Sequence, residues 1–205
     1  MRRLVLATRN QGKEREFREL LADLPLAVVG LGAYPNAPEV AEDGSSFAEN
    51  ALAKARQVAA YTGEIALADD SGLEVDALGG RPGIHSARFA GPRANDADRI
   101  DKLLELLKDV PPPLRTARFQ AAIAVVWPRD ACGDVPRTLA VQESCEGRIT
   151  EAPRGTGGHG FDPVFYHEPS GKTFAEMTME EKNEVSHRGR AARAIRRLLL
   201  SQECL

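Results

Sequence analysis

The first thirty residues alternate between short apolar runs and an amphipathic segment. Leu4–Ala7 and Leu26–Val29 are apolar runs of the length expected for short buried strands. A polar turn, Thr8–Gly12, follows the first run. The residues between the turn and the second run place apolar side chains on one helical face: Phe17, Leu20, Leu21 and Leu24. This order of strand, turn, helix and strand predicts an α/β fold in which helices cover a sheet.

Further helices are predicted from capping signals and helical periodicity. Ser46 and Glu49 have the spacing of a capping box, and Gly63 ends the helix that follows. Asp96–Lys108 is amphipathic, and a run of three prolines stops it. A last helix begins at Ser186. Its inward-facing side chains are expected to be Ala192, Ile195, Leu198 and Leu199.

The remaining strands are predicted from β-rich segments. Ile65–Ala68 reads as a buried strand that runs directly into Asp69–Gly72, and Leu73–Ala77 as a separate short strand. Residues 116–127 and 137–146 are predicted to form a long antiparallel hairpin around a turn at Pro128–Pro136. An extended hairpin after an α/β half suggests two lobes with a cleft between them.

Composition excludes several classes of protein. The net charge is −3, from 30 acidic and 27 basic residues, which disfavours a binder of nucleic-acid polymers. The longest strictly apolar run, Ala121–Trp127, is far shorter than the roughly 20 residues of a membrane-spanning helix. Three cysteines without a Cys-x-x-Cys pair disfavour a disulfide framework or a zinc site. We therefore expect a cytoplasmic protein without membrane association.

Carboxylates suggest where a metal would bind. Asp69 and Asp70 follow an apolar strand, and ligand sites in open α/β sheets lie at the carboxyl ends of strands. Oxygen ligands at that place suit Mg²⁺, which combines one or two carboxylates with substrate phosphates. A turn through Asp69–Gly72 explains the two acids equally well. Glu39, Glu42 and Asp43 lie in a proline-bearing loop and are candidates for a second carboxylate, although a solvated acidic loop is the simpler interpretation.

Basic and glycine-rich segments suggest where an anion or a base would bind. Lys13 follows the polar turn at the start of a helix, which is a plausible phosphate cradle without the spacing of a P-loop. Asn50 and Lys54 share one helical face, and solvation is the simpler interpretation of each lysine. His187 and Arg188, near a helix N-terminus, are candidates to donate to carbonyl or phosphate oxygens. The glycine-rich stretch Gly155–Pro163 is either a base-stacking loop or a tight turn.

Six segments together are far more specific than any one of them. They are Leu6–Lys13, Phe47–Ala55, Ala68–Asp76, Leu78–Arg88, Gly155–Pro163 and Glu181–Gly189. With these segments in this order over residues 6–189, the sequence resembles the inosine triphosphate pyrophosphatase family. The resemblance implies Mg²⁺-dependent hydrolysis of inosine, deoxyinosine and xanthosine triphosphates to the monophosphate and pyrophosphate. It also implies a single domain, residues 1–205, with an elongated mixed sheet flanked by helices and two lobes around a central cleft. The family is usually a homodimer, and the nucleotide lies in that cleft.

The resemblance assigns roles to individual residues. Asp70 matches the catalytic carboxylate, which acts as general base and metal ligand, and Glu42 matches the second metal-site acid. Ser71 matches a substrate contact. The residues that match the triphosphate loop are Thr8, Arg9, Asn10, Gln11, Gly12 and Lys13. The residues that match the base-binding positions are His159, Gly160, Phe161, Asp162, Lys182, His187 and Arg188.

The chain departs from the family pattern at two places, and two other functions remain alternatives. His159 stands where the family usually has another aromatic residue, Phe161 replaces a tyrosine, and Arg9 stands where glycine is frequent. A related enzyme of the septum-formation-inhibitor type, acting on pyrimidine or modified nucleotides, is one alternative, although the base loop and the Ser-His-Arg-Gly motif speak against it. A nucleotide sensor without turnover is the other, and it predicts loss of the acids that this chain retains.

Overall fold

A computed structural model describes residues 1–38, 40, 42–128 and 137–202. This part of the chain forms a mixed α/β structure with a seven-stranded sheet in the order β2-β1-β3-β4-β5-β6-β7. The strands are β1 (Arg3–Leu6), β2 (Ala27–Gly30), β3 (Ile65–Val75), β4 (Thr116–Val126), β5 (Thr138–Ile149), β6 (Phe165–His167) and β7 (Lys172–Thr173). The predicted α/β class with a mixed sheet and flanking helices is confirmed, since β1 pairs in parallel with β2 and β3 whereas β5 and β6 pair antiparallel.

The helices begin at polar caps that the sequence indicates. They are α1 (Gln11–Leu20), α2 (Phe47–Thr62), α3 (Asp96–Leu107), α4 (Met179–Val185) and α5 (His187–Leu200). Ser46 caps α2 by accepting from the backbone N–H of Glu49, and Gly63 ends it in the left-handed conformation. The Glu49 carboxylate turns away from the expected box and accepts from Ser45 instead. None of the helices in the described ranges is long and apolar enough to cross a membrane.

The chain divides into two compact units. Unit 1 comprises Met1–Asp70, Ala121–Glu143 and Gly189–Leu205, and unit 2 comprises Ser71–Gln120 and Ser144–Arg188. The boundary in β3 falls directly between Asp70 and Ser71, so the two acids belong to unit 1. The arrangement of these units as lobes of one domain around a cleft stays a prediction.

Unit 1 has a core built by β1, β3, β4 and the helices α1 and α5. Leu4 and Leu6 of β1 are fully buried, as is Trp127 after β4. The inward face of α5 is predicted correctly for three of its four residues, but Leu198 is 38 % exposed. It lies at the edge of the stripe centred on Ile195, where the buried place is taken by Ala191.

Unit 2 has a separate core in which aromatic rings dominate. Phe119 of β4 packs against Phe165 and Phe174, with ring centroids 4.6 and 5.7 Å away. Helix α3 buries Ile100, Leu103 and Leu107 against the same cluster. Phe161 of the glycine-rich segment also belongs to this core and is only 3 % exposed.

The strand that carries the two adjacent acids differs from its prediction. Residues 65–75 form one continuous strand, so the alternative of a turn at Asp69–Gly72 is wrong and the acids lie inside β3. Parallel pairing with β1 nevertheless stops at Leu67, opposite Leu6. The acids therefore follow the last residue that pairs with β1, which preserves the reason for expecting ligands there. The predicted hairpin partners β4 and β5 are neighbours in the sheet, and the turn between them lies outside the described residues except for Pro128.

Candidate functional site

The loop between β1 and α1 is organised by Asn10. Its side-chain oxygen accepts from the backbone N–H groups of Gly12 and Lys13 at 2.8 and 3.1 Å, so α1 begins at Gln11, two residues earlier than expected. Thr8 accepts from the backbone N–H of Asn10 at 3.1 Å. The loop is thus fixed at a helix N-terminus, which is a favourable place for phosphate groups.

Two basic side chains of this loop, Lys13 and Arg9, contact other residues of unit 1. The ammonium group of Lys13 lies 2.6 Å from a carboxylate oxygen of Asp69, whose side chain is almost fully buried. One guanidinium nitrogen of Arg9 donates to the backbone carbonyl of Ala37 at 2.9 Å. Lys13 is therefore held toward the acids of β3 rather than extended into solvent.

Asp70 is the centre of a buried polar cluster in unit 1. Its Oδ1 accepts from the ammonium group of Lys54 at 2.9 Å, and its Oδ2 accepts from the side-chain amide of Asn50 at 3.0 Å. Lys54 also forms an ion pair with Glu42. Helix α2 supplies Asn50 and Lys54 from one face, and both are buried. Solvation, the simpler interpretation of Lys54 from sequence, is therefore wrong.

The charge of Lys54 is set by two opposing effects. Burial alone would lower the pKa of this lysine, since desolvation penalises the ammonium form. The carboxylates of Asp70 and Glu42 outweigh burial, and the pKa of Lys54 is raised above its ordinary value of 10.5. Lys54 therefore keeps its positive charge at neutral pH, and counting formal charges over Glu42, Asp70 and Lys54 leaves a surplus of one negative charge.

Arg188 and Ser71 form a second polar contact, in unit 2. The guanidinium group of Arg188, in the first turn of α5, donates to the Ser71 hydroxyl at 3.0 Å. Arg188 is 3 % exposed. The neighbouring His187 is also buried, and its ring stacks on Phe119 with centroids 4.6 Å apart and planes 10° from parallel.

Asp162 holds the glycine-rich loop of unit 2. Its Oδ2 accepts from the ammonium group of Lys182 and from the backbone N–H of His159, both at 2.7 Å. A Cβ atom at Gly158 would lie 2.1 Å from the same oxygen, and this residue has φ +72°, so only glycine fits here. The loop is also tied to α3, because Asp96 accepts from the backbone N–H of Gly160 at 2.6 Å.

The sequence indicated two flat side chains in this loop, and the structure separates their roles. Phe161 packs edge-on against Phe89 with centroids 6.3 Å apart and belongs to the core. The His159 side chain remains 27 % exposed. A stacking surface for a base is therefore available on His159 but not on Phe161, because burial in the core of unit 2 already uses the phenyl ring.

The carboxylate oxygens of Glu42 and Asp70 are suitable ligands for a hard divalent cation. Glu42 and Asp70 both contact the same ammonium group, so their oxygens already face one positive charge. Within the described ranges, no group of three or more histidine, cysteine, aspartate or glutamate residues could hold a metal. Two carboxylates without a complete protein cage are the donor set that Mg²⁺ uses when substrate phosphates and water complete its shell.

Comparison with known proteins decides the family. The model of the Ham1 family matches residues 4–198, nearly the whole chain. The chain belongs to the Ham1 family. Among its Ham1 relatives, the dITP/XTP pyrophosphatase of Geobacillus kaustophilus is 52 % identical over 191 residues, which is 93 % of this chain and 91 % of the relative.

Two further matches extend over the same length. The dITP/XTP pyrophosphatase of Symbiobacterium thermophilum is 54 % identical over 198 residues, 96 % of this chain and 95 % of the relative. A solved HAM1 protein from Coxiella burnetii is 40 % identical with a TM-score of 0.86, covering 98 % of this chain and all of the other. The Ham1 fold of this chain therefore follows from both sequence and structure.

Sequence reasoning gave too little weight to two residues of the unit 1 cluster. Asn50 and Lys54 were recognised as neighbours on one helical face but were not among the predicted site residues. Their spacing in an otherwise apolar face of α2 was the available signal, since buried polar side chains need partners. The identity of those partners, Asp70 and Glu42, depends on how β3 and the loop before α2 lie against the helix.

Proposed function

We propose that this Ham1-family protein hydrolyses dITP, XTP and ITP to the nucleoside monophosphate and pyrophosphate, with Mg²⁺ as its metal. The observation that carries the proposal is the buried Asp70 carboxylate, oriented by Lys54 and Asn50 beside Glu42. The relatives named dITP/XTP pyrophosphatase at about half identity support the substrate class. Such hydrolysis would remove aberrant purine nucleotides from the pool.

Asp70 is proposed as the general base of the reaction. Both of its oxygens accept hydrogen bonds from neighbouring donors, so its orientation is fixed before substrate binds. A carboxylate held in this way can orient a water molecule and accept its proton as the oxygen attacks phosphorus. Positioning by surrounding side chains is a large part of catalysis in phosphoryl transfer, because the protein supplies little covalent chemistry.

Glu42 and Asp70 are the proposed metal ligands. A Mg²⁺ ion held by these two acids would supply positive charge to the phosphate oxygens and to the leaving pyrophosphate. Lys54 lies between the two carboxylates and keeps them close together despite their mutual repulsion. Unit 1 therefore provides a preorganised pair of oxygen ligands.

The loop Thr8–Lys13 is proposed to bind the triphosphate. Its phosphate contacts would come from the N-terminus of α1 and from the Lys13 ammonium group, with Arg9 adding a cation. Asn10 uses the backbone N–H groups of Gly12 and Lys13 internally, which leaves that of Gln11 in the first turn to face an anion. The ion pair of Lys13 with Asp69 holds this cation ready without exposing it fully.

Recognition of the base is proposed for residues of unit 2. Hypoxanthine and xanthine carry a carbonyl at purine position 6, and donors from His187 and Arg188 match it. Adenine presents an amino group at that position, so donor would face donor, and such a mismatch discriminates strongly. His159 supplies a ring for stacking, whereas Phe161 and the Asp162–Lys182 pair hold the loop that presents it. The hydroxyl of Ser71 is proposed as a further substrate contact.

One assay distinguishes this function from its alternatives. Purified protein with Mg²⁺ is given inosine, deoxyinosine, xanthosine, guanosine, adenosine and pyrimidine triphosphates, and pyrophosphate release is measured. We expect rapid release from the inosine, deoxyinosine and xanthosine nucleotides and little from adenosine triphosphate. Preferred turnover of pyrimidine nucleotides would favour the septum-formation-inhibitor type, and tight binding without release would favour a sensor.

The remaining proposals concern assembly and location. The family resemblance supports a homodimer, and sedimentation equilibrium should give twice the chain mass of 22.2 kDa. A cytoplasmic location is proposed from the sequence, whose three cysteines include no Cys-x-x-Cys pair. A monomeric mass at assay concentrations would contradict the homodimer.

A further inference from the structure

Asn50 connects two parts of the unit 1 cluster that are distant in sequence. Its side-chain oxygen accepts from the backbone N–H of Gly44 at 2.8 Å, and its side-chain nitrogen donates to Asp70 at 3.0 Å. The residue is 1 % exposed. One buried amide therefore joins the loop before α2 to the acid of β3.

The chemistry of the partners fixes which way this amide faces. The Gly44 N–H can only donate, so it requires the Asn50 oxygen, and the Asn50 amino group is left for the carboxylate of Asp70. The isosteric aspartate keeps the acceptor but has no donor for Asp70. Asparagine is the side chain of this size that satisfies both partners.

Gly44 adds an independent observation on the same contact. An ideal Cβ atom at this position would lie 2.6 Å from the Asn50 side-chain oxygen and 3.0 Å from the Cβ of Glu49. A residue with a side chain must therefore push the loop away from Asn50 or displace the amide. Since Glu42 is only two residues earlier, either movement would change its separation from Asp70.

We propose that Asn50 is a positioning residue that sets the distance and orientation between Glu42 and Asp70, so that both carboxylates contact one divalent cation. The inference rests on the metal-binding role of these two acids in the proposed function. Asn50 acts through its two hydrogen bonds and does not itself touch the cation. Gly44 contributes to the same positioning, because the absence of a side chain lets its backbone approach the Asn50 amide closely.

The chain offers a matched control one residue away. Glu49 also ties the loop to the start of α2, since its carboxylate accepts from the backbone N–H and the hydroxyl of Ser45, both at 2.8 Å. It is exposed, and neither of these contacts involves Asp70. A change at Glu49 therefore weakens a loop anchor without changing the contact of Asp70 with Asn50.

The test compares Asn50→Asp, Asn50→Ala, Gly44→Ala and Glu49→Gln with the wild type. Mn²⁺ binding is titrated by electron paramagnetic resonance, with and without a non-hydrolysable nucleoside triphosphate, and circular dichroism identifies the variants that fold. We expect the Asn50 and Gly44 variants to bind Mn²⁺ about 10- to 100-fold more weakly, as when outer-shell partners of metal ligands are removed. Glu49→Gln should bind as the wild type does. The double variant Gly44→Ala/Asn50→Ala should be no weaker than the worse single variant, because both disrupt one contact.

Two results would overturn the proposal. One is wild-type Mn²⁺ affinity in folded Asn50→Ala or Gly44→Ala, and the other is an equal loss in Glu49→Gln, which would reduce the effect to general anchoring of the loop. Absence of Mn²⁺ binding in the wild type under both conditions would also contradict it. The nucleotide panel of the preceding section is a separate measurement, so failure of the proposed substrate class can be told apart from failure at Asn50.

Discussion

Two buried lysines, one in each unit, have different electrostatic surroundings. Lys54 in unit 1 contacts two carboxylates, Glu42 and Asp70, so the group carries one surplus negative charge. Lys182 in unit 2 contacts the Asp162 carboxylate, whose other bond goes to a backbone N–H, and that pair is neutral. A neutral, satisfied pair fixes a loop, whereas a buried surplus of carboxylate attracts a further cation. The difference distinguishes the proposed metal site from a structural ion pair in one protein.

A third cluster shows that charge arithmetic alone is insufficient. Arg118 in unit 2 lies within 4 Å of three acidic side chains, Glu74, Asp76 and Glu146. Formal charges therefore leave a surplus of two negative charges in this cluster. Asp76 and Glu146 are exposed, whereas Arg118 and Glu74 are half-buried, and water screens the repulsion among the acids. A cation site therefore needs both the surplus charge and the burial that Asp70 has.

The largest expected effect is a loss of catalysis when Asp70 in the polar cluster of unit 1 is changed. Asp70→Asn should lower kcat about 1,000-fold, since it removes the proposed general base, while nucleotide binding remains measurable. Pyrophosphate release and fluorescence titration with a nucleotide analogue measure the two quantities. A rate near the wild-type value would rule out Asp70 as the base.

The second prediction addresses the neutral pair. Lys182→Met should lower the free energy of unfolding by about 3–5 kcal/mol, because it leaves Asp162 as a buried carboxylate without its cation. Urea denaturation gives this value.

A matched double variant sharpens the interpretation. Lys182→Met combined with Asp162→Asn should recover part of the loss, since the amide oxygen still accepts from the His159 N–H without a buried charge. Equal destabilisation in the single and double variants would show that packing, rather than charge, explains the loss.

The third prediction concerns Glu42 in the polar cluster of unit 1. Glu42→Gln should raise the Mg²⁺ concentration for half-maximal activity about tenfold, equivalent to about 1.4 kcal/mol of metal binding. Stability should change little, because Lys54 keeps its ion pair with Asp70. Activity against Mg²⁺ concentration and thermal unfolding test both parts. Unchanged Mg²⁺ dependence would contradict Glu42 as a ligand.

The smallest effect is expected at the exposed cluster. The Thr116 hydroxyl and the Arg118 guanidinium hold the pKa of Asp76 below its ordinary value of 3.8. The Asp76 contribution is therefore present above that value and disappears as the pH falls through the lowered pKa. Asp76→Asn should lower stability at pH 7 by about 0.5 kcal/mol, as is usual for exposed pairs. Urea denaturation at neutral and acidic pH checks it, and an effect that grows in acid would contradict this sign.

The fold was largely predictable because its signals are local. Ser46 caps α2 from its own sequence neighbourhood, as predicted, and apolar periodicity located the inward face of α3. The sequence left a turn at Asp69–Gly72 open beside a ligand site, because Asp-Asp-Ser-Gly has turn-forming propensity. Pairing of the strand through that segment overrides the propensity, since sheet hydrogen bonds depend on residues elsewhere in the chain.

The sequence by itself determined the α/β class, the presence of helices such as α2 and α3, and the set of motifs that carry the resemblance to nucleoside triphosphate pyrophosphatases. Only the tertiary structure decided which charges meet. In the folded chain Lys54 contacts both Glu42 and Asp70, Lys182 contacts Asp162, and Phe161 lies in the core of unit 2. The physical reason is that helix caps act over a few residues, whereas partners of a buried charge come from segments about 10 to 20 residues away along the chain.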